Sequence, residues 1–404
     1  MGSKKLNIYL LLIFIGLLSV ALTKSESVFS LMLSFVFYFF IGRLVNSRSS
    51  IHMMFFLGFS IFIFLPGLLN WYYLDVSFEL FFLSSFIAAF FLFLTRDTQV
   101  KKFIDYGVFP KFLFVLLSLV GSLLAITDYG GFINPIFAFL IILLSLSFKQ
   151  NNIKNNSIFI FIFILFFLVY SNFAWSGFGR TVVIGWILLA LLQFSYSINY
   201  KVNKYVFGLV PGIGATLLSD RDIFKLEFSG FENALNDSAY GPYRLASTFI
   251  EYFNQRGFDV SGFWDQILFT FFVYIPRAIW PSKPYGFGFE YTVRHLDAYL
   301  ADAGHSIAST LIGDHIYYLG YFGVITSLLI FLIIALITNV LYKIKGLNGN
   351  GVLLFSASMM VLVWGGMTSF SARVALPSIV FVLLFTLFRR FLTRKVRFVW
   401  GASN

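Results

Sequence analysis

Long apolar runs alternate with short polar connections along most of this chain. Each run is close to the roughly 20 residues that an α-helix needs to cross the hydrocarbon core of a bilayer. The pattern predicts twelve spans, at residues 6–23, 28–45, 53–71, 78–95, 112–127, 132–148, 157–175, 181–197, 204–219, 318–342, 352–370 and 374–392. The sequence therefore predicts an all-α fold, a polytopic transmembrane helical bundle that forms one integral-membrane domain over residues 1–404.

The segment 220–315, between the ninth and tenth predicted spans, departs from this pattern. It is far longer than an ordinary connection, and long loops of this kind commonly carry function. We expect an amphipathic helix in it, with Pro242 in the first turn and Gly257 just beyond the last residue. Its two faces would hold Arg244, Thr248, Glu251 and Gln255 on the polar side, and Ala246, Phe249, Ile250 and Phe253 on the apolar side. We expect this helix to lie on the outer surface of the membrane.

A second apolar stretch in the same segment, WDQILFTFFVYI, ends at Pro276. It is too short for a full span, so the pattern predicts a half-buried or re-entrant helix.

Composition excludes the soluble classes of protein. Hydrophobic residues make up 59% of the chain and charged residues 12%, against about 25% charged in an ordinary globular domain. The chain has no cysteine. Disulfides, thiolate nucleophiles and cysteine-ligated metal sites are therefore excluded.

The charge distribution predicts an orientation in the membrane. If the amino terminus is cytoplasmic, most of the 29 basic residues fall in inner connections and in the tail RRFLTRKVR, as the positive-inside rule requires. Both termini are then cytoplasmic, and the segment 220–315, with most of the 18 acidic residues, lies on the outer face. Topology and attraction to membrane lipids explain the net charge of +11. We expect no nucleic-acid partner, because no basic stripe with interleaved aromatic residues occurs.

Four arginines are candidates for binding phosphate. Arg180 and Arg373 lie at the outer mouths of spans, in GFGRTVV and SFSARVAL, and Arg277 and Arg294 lie in the outer segment. A single arginine at such a place is equally well explained by snorkelling to the headgroups. Four from separate segments suit a lipid-linked diphosphate, because guanidinium groups bind phosphate oxygens bidentately and stay charged.

The outer segment also holds three of the chain's four histidines, His295, His305 and His315, with Glu290 and Asp314 beside them. His305 follows a glycine ahead of a helical pattern, so we expect a general base or a phosphate-binding cation there. Asp314 is a candidate to orient that base or to bind an acceptor sugar. The alternative is that these side chains only hydrogen-bond the loop.

Motifs for other chemistry are missing. The chain has no HExxH motif and no histidine pair at helical spacing, so we expect no metal site and no cofactor. It has no Walker A loop, GxSxG elbow or GxGxxG turn. Charged residues deep within the predicted spans are almost absent, which counts against an ion-coupled transporter.

Several motifs together resemble one known family. They are Gly179–Arg180 at the head of a span, IPRAIWPSKP, GHS and GDHIYYLGYFGV. With the dozen predicted spans and the large outer segment, they resemble the O-antigen polymerase, or oligosaccharide repeat-unit polymerase, family. The sharp match is confined to about residues 275–325, where PR-x-x-WP-x-KP is the most specific motif.

The resemblance implies a membrane-embedded glycosyltransferase of the C-type class in a bacterial inner membrane, with its active site facing the periplasm. It would transfer a growing glycan from undecaprenyl diphosphate onto a lipid-linked repeat unit, with a chain-length regulator protein as a further partner. The abundant cations predict that the reaction needs no metal ion. The expected roles are catalysis by His305, Asp314 and Arg277, diphosphate binding by Arg180, Arg277, Arg294 and Arg373, and sugar binding by Arg244, Glu251, Lys283 and Glu290.

Two other functions stay open at this point. An O-antigen ligase uses the same donor but delivers the glycan to lipid A–core, and the arginines would serve it equally well. A lipid-linked oligosaccharide flippase or other transporter would move the substrate without forming a glycosidic bond.

Overall fold

The computed structural model of the chain describes residues 28–68, 79–95, 108–127, 133–173, 180–209, 241–273, 275–296, 298–299, 307–343, 351–371, 383 and 387. Within these ranges every regular element is helical, which confirms the predicted all-α class. The helices are α1 (Val28–Leu44), α2 (Ser50–Phe59, continued by a π-helical segment Ser60–Phe64), α3 (Glu79–Leu94), α4 (Val108–Ile126), α5 (Ile133–Ser147), α6 (Ile153–Phe173), α7 (Arg180–Ser197), α8 (Gly241–Arg256), α9 (Val260–Phe272), α10 (Phe287–His295), α11 (Gly313–Leu319), α12 (Phe322–Lys343) and α13 (Gly351–Phe370).

Apolar periodicity located the long helices correctly. Among the described residues, the segments Ser50–Leu68, Ile153–Tyr170 and Phe322–Lys343 are long and apolar enough to cross a membrane. The predicted spans 6–23, 204–219 and 374–392 fall wholly or mostly outside the described residues. The count of twelve spans therefore stays a prediction.

The centre of the bundle is α2, in which every residue from Ser50 to Phe59 is buried. It packs closely on α13, where a Cβ added to Gly58 would lie 3.1 Å from the Cα of Met360. Ser50 and Ser356 share a hydrogen bond of 2.8 Å between their hydroxyls across the same interface. Small residues and hydroxyl pairs are what allow helices to approach one another where apolar burial gives no advantage over lipid.

Several connections meet at one end of the bundle. The Lys204 ammonium donates to the Val45 carbonyl at 3.2 Å, and the Tyr196 hydroxyl donates to the Ser47 carbonyl at 2.9 Å. The Asn151 N–H donates to Ser197, the last residue of α7, at 3.0 Å. These connections are among those predicted to face the cytoplasm, so the structure groups them as the sequence requires. The side of the membrane that this end faces stays a prediction.

The helices α8, α9, α10 and α11 form a compact group, here called the insert, that packs at the other end of the bundle. α8 begins and ends as predicted, and Gly257 beyond it has a φ of +79°. Of its predicted polar face, Arg244, Thr248, Glu251 and Gln255 are all exposed.

The apolar face of α8 does not lie on a bilayer as we expected. Ala246 and Phe249 are fully buried, and both contact Gly313 at the start of α11. Phe249 also packs edge-to-face on Tyr317, with ring centroids 5.4 Å apart. α10 and α11 therefore cover the face that amphipathicity alone assigned to lipid, and the placement of α8 at the membrane surface stays a prediction.

Candidate functional site

Helix α9 buries a stripe of small and polar residues and exposes large apolar side chains. It buries Gly262, Gln266 and Thr270, which recur every fourth residue and so share one face. On its other faces Trp264 and Phe271 are each 59% exposed. In water a helix turns its apolar face inward, so this arrangement is the reverse of that of a helix in a soluble protein. That the run ending at Pro276 is half-buried or re-entrant in the membrane stays a prediction.

The motif IPRAIWPSKP forms a closed corner directly after α9. The Arg277 guanidinium donates to the carbonyls of Lys283 at 2.6 Å and Pro284 at 3.1 Å, and it lies 3.7 Å from the centroid of the Tyr285 ring. The Lys283 ammonium donates to the carbonyls of Val273 and Ile275 at 2.9 and 2.8 Å, which satisfies carbonyls at the end of α9.

Arg277 and Lys283 thus have structural partners in this corner. Lys283 is only 8% exposed, and both cations are directed at main-chain carbonyls. The sequence predicted Arg277 for catalysis and diphosphate binding and Lys283 for sugar binding. In the structure, Arg277 and Lys283 stabilise the turn that leads into α10.

An ionic network ties the four insert helices together. The Glu290 carboxylate accepts hydrogen bonds from Gln266 and Tyr318, both at 3.0 Å, and pairs with Arg294 at 2.6 Å. Arg294 also lies 3.8 Å from Asp259. Glu290, predicted to bind sugar, and Arg294, predicted to bind diphosphate, therefore already have protein partners in the described part of the chain.

Asp259 caps the start of α9, accepting from the Gly262 N–H at 2.9 Å, and it pairs with Arg256 of α8. Burial acts to raise the pKa of this carboxyl. The hydrogen bonds from Gly262 and Ser261 and the charges of Arg256 and Arg294 outweigh it, so the pKa is lowered. Asp259 is consequently ionised over the physiological pH range, and its contacts hold α8, α9 and α10 together.

His295 belongs to an aromatic cluster rather than to an open site. Its two ring nitrogens lie 2.9 Å from the Tyr252 hydroxyl and 2.7 Å from the Tyr317 hydroxyl. The Tyr317 hydroxyl accepts from Arg256 at 2.9 Å, so we assign its hydrogen to His295. Burial, with the charges of Arg256 and Arg294, lowers the pKa of His295. The ring is therefore neutral and structural.

The most unusual backbone lies in α13, which breaks at Gly366 with φ 66° and ψ −166°. That region is essentially restricted to glycine. The break releases main-chain groups, and neighbouring residues satisfy them. The Thr310 N–H donates to the Trp364 carbonyl at 3.0 Å, and the Met367 N–H donates to the Asp314 carboxylate. A break inside an apolar helix is tolerated where it is buried in protein or lines a cavity.

Asp314 sits beside this break and is 3% exposed. Burial raises the pKa of its carboxyl to about 7, against the lowering effect of hydrogen bonds from the main-chain N–H groups of His315, Met367 and Asp314 itself. A carboxyl with a pKa near the operating pH is suited to accept a proton in a reaction.

The neighbouring His315 is buried and neutral. Its Nδ1 lies 2.8 Å from the Thr326 hydroxyl, which itself donates to the Gly323 carbonyl at 3.0 Å. We assign the hydrogen of the hydroxyl to this carbonyl and the hydrogen of the ring to Nδ1. Burial lowers the pKa of His315 to about 4.

These groups meet in a small cavity between α9, α11 and the break in α13, hereafter the Asp314 cavity. It has space for roughly one water molecule. Its lining consists of Phe263, Gln266, Ile267, Thr270, Asp314, His315, Tyr318, Met367 and Thr368. The amide oxygen of Gln266 is buried and has no hydrogen-bond partner within the described ranges.

The other predicted site residues are not brought to this cavity by the described part of the chain. Arg244 and Glu251 are exposed on α8, on faces other than the one that contacts α11. Arg180 begins α7, but its side chain, His305 and Arg373 all lie outside the described residues. No group of three His, Asp or Glu side chains that could hold a metal ion occurs among the described residues.

Sequence reasoning singled out Asp314 but not the other residues that line its cavity. Gln266 was hidden in an apolar run, although its spacing of four from Gly262 and Thr270 was a readable signal of a buried polar stripe. Gly365–Gly366 within a predicted span was a signal of a break.

Comparisons of the chain with protein-family models, with curated proteins and with solved structures returned no match.

Proposed function

We propose that this chain is a membrane-embedded glycosyltransferase, an O-antigen polymerase. It moves a growing glycan from undecaprenyl diphosphate onto a lipid-linked repeat unit at the outer face of a bacterial inner membrane. The observation that carries the proposal is the Asp314 carboxyl. It is buried beside a broken membrane helix, its pKa is raised to about 7, and it lies behind a helix whose outer face is apolar.

The reaction needs a base for the acceptor hydroxyl. Asp314, when ionised, accepts a proton as the acceptor hydroxyl is deprotonated and its oxygen forms its bond to the anomeric carbon. The bond from that carbon to the diphosphate breaks, and the diphosphate leaves with the electron pair. A positioned base of this kind typically contributes a factor of about 10²–10⁴ in rate.

The position of α9 supports a substrate carried by lipid. Trp264 and Phe271 face outward on this helix, while Gln266 and Thr270 line the Asp314 cavity behind it. In the proposal the outward face of α9 lies in lipid, which leaves the width of a single helix, about 10 Å, between lipid and cavity. A sugar attached to a polyprenyl carrier has its reactive end at this boundary.

Cations are required to neutralise the departing diphosphate. Arg277 is engaged by carbonyls and Arg294 by carboxylates, so in the proposal Arg180 and Arg373 have the main part. α7 begins at Arg180 and ends at Ser197, among the connections at the end of the bundle away from the insert. Its first residue therefore belongs to the end at which α13 breaks.

Reconstitution tests the proposal. Purified protein in liposomes containing undecaprenyl-diphosphate-linked repeat units should produce a ladder of longer glycans, and should continue to do so in excess EDTA. Asp314→Asn should abolish the ladder, while Asp265→Asn, which removes an exposed carboxylate of α9, should leave it intact. A normal ladder from Asp314→Asn would refute the role of this carboxyl.

The same assay separates the two alternatives. A ligase would transfer the glycan only when lipid A–core is supplied, and it would make no ladder from repeat units alone. A flippase would move the labelled lipid across the bilayer without lengthening the glycan. Either outcome with wild-type protein would overturn the polymerase proposal.

A further inference from the structure

The Asp314 cavity is lined by hydrogen-bond acceptors, and one of them has no donor in the described part of the chain. Gln266 donates through its amide nitrogen to the Tyr285 carbonyl at 3.1 Å and to Glu290 at 3.0 Å. Both partners can only accept, so the orientation of the amide is fixed. Its oxygen, on a residue that is 4% exposed, has no partner in the described part of the chain. A buried acceptor without a donor is costly enough that native proteins nearly always satisfy it.

A second acceptor, the Asp314 carboxylate, lines the same cavity. An occupant of this cavity must therefore bring hydrogens, and it must be small.

Water fits both conditions. The cavity has room for roughly one water molecule, which is the size and polarity at which buried waters are found. A water molecule can donate two hydrogen bonds and accept two others. A single sugar hydroxyl, with one hydrogen, would leave the Gln266 oxygen unpaired once it donated to Asp314.

We propose that the Asp314 cavity binds one water molecule, which donates one hydrogen bond to the Gln266 oxygen and the other to the Asp314 carboxylate, and that this water carries the proton of the acceptor hydroxyl to Asp314. The inference rests on the proposed function for the relay, while the water site stands independently of it. Gln266 is a positioning residue in this scheme, because it acts through the water.

The relay is balanced. The acceptor O–H gives its proton to the water oxygen while a different hydrogen of the water passes to the Asp314 carboxylate. The acceptor oxygen bonds to the anomeric carbon, and the diphosphate leaves with the electron pair of the broken bond. The water is regenerated, and Asp314 ends protonated.

The water site is tested without any enzymatic assay. Infrared difference spectra in H₂¹⁶O and H₂¹⁸O should show an isotope-shifted O–H stretch of an isolated water in wild-type protein. The band should disappear in Gln266→Met and persist in Gln255→Met, a matched change at an exposed position of α8. If Gln266→Met does not fold, Asp314→Asn should move the band to higher frequency, because an amide oxygen is a weaker acceptor than the carboxylate that lines the cavity. A wild-type spectrum without the band would overturn the site.

The relay is tested by single-turnover elongation in mixtures of H₂O and D₂O. If two protons move in the rate-limiting step, the elongation rate should depend on the deuterium fraction along a curve. Gln266→Met should lower this rate at least about tenfold without changing the KM for the acceptor. A linear dependence in wild-type protein would refute the relay. Protein that shows the water band but never elongates a glycan would instead refute the proposed function and leave the water site standing.

Discussion

Asp314 and Gly366 are in direct contact, although they are far apart in sequence and lie in different helices. A Cβ added to Gly366 would lie 2.8 Å from Oδ2 of Asp314 and 2.5 Å from the hydroxyl oxygen of Ser309. The Asp314 carboxyl therefore lies directly against the break in α13. The backbone conformation at Gly366 and the position of the buried acid depend on each other.

Gly366→Ala should disable the protein. The new methyl group would displace the Asp314 carboxyl, and alanine at φ 66° carries a backbone penalty of about 1–3 kcal/mol. We expect loss of activity together with a lower midpoint of thermal unfolding in detergent.

Gly257→Ala is the matched control for that variant. Gly257 also has a positive φ, of 79°, but a Cβ there would meet no atom within 4 Å. Gly257→Ala should lose only about 1–2 kcal/mol of stability through its backbone conformation, and it should keep its activity. Equal effects of the two variants would show that the contacts of position 366 with Ser309 and Asp314 are unimportant.

Elongation should increase as the pH rises through about 7. The pKa of Asp314 is raised to about 7, and only the ionised form accepts a proton. His315, with a pKa of about 4, does not titrate in this range. Rates measured between pH 5.5 and 8.5 should follow one ionisation, and a flat profile would contradict the assignment.

The free energy of unfolding should fall as the pH rises over the same range. A carboxyl whose folded-state pKa is raised above its unfolded value binds a proton more tightly when folded. Its contribution is present below about pH 4 and is lost as the pH rises through about 7. Asp314→Asn should remove this part of the pH dependence from thermal unfolding curves, whereas Asp265→Asn should not.

Arg277→Ala should destabilise the insert. The guanidinium donates to the carbonyls of Pro281, Lys283 and Pro284, and hydrogen bonds to a charged group contribute about 1.5–3 kcal/mol each. Arg277→Lys should not restore stability, because one ammonium cannot replace the planar fork stacked on Tyr285. If Arg277→Ala melts normally and only weakens donor binding, the sequence-based role in diphosphate binding would be correct instead.

The sequence was sufficient for helices whose signal is local. The bounds of α8 follow from Pro242, Gly257 and a four-residue period, and the structure agrees with all three. What covers a helix is not local, so the pattern could not tell that α11 rather than lipid receives Ala246 and Phe249.

The site shows the same limit. Asp314 could be selected because it is an acid near an apolar run, but its pKa depends on burial against α9 and α13. The arginines show a related limit. A cation in a polar loop suggests a ligand, and the sequence does not show that carbonyls of the same loop contact it, as they do around Arg277.

The outward face of α9 should lie in lipid. The chain has no cysteine, so single-cysteine variants can carry a nitroxide spin label without background. A label at Phe271→Cys should be accessible to oxygen, which concentrates in the bilayer, and shielded from a water-soluble nickel chelate. A label at Gln255→Cys, on the exposed polar face of α8, should show the reverse. Because Phe271 shares its helix with Gln266 of the Asp314 cavity, nickel access at Phe271 would place that cavity in water and remove the support for a lipid-linked substrate.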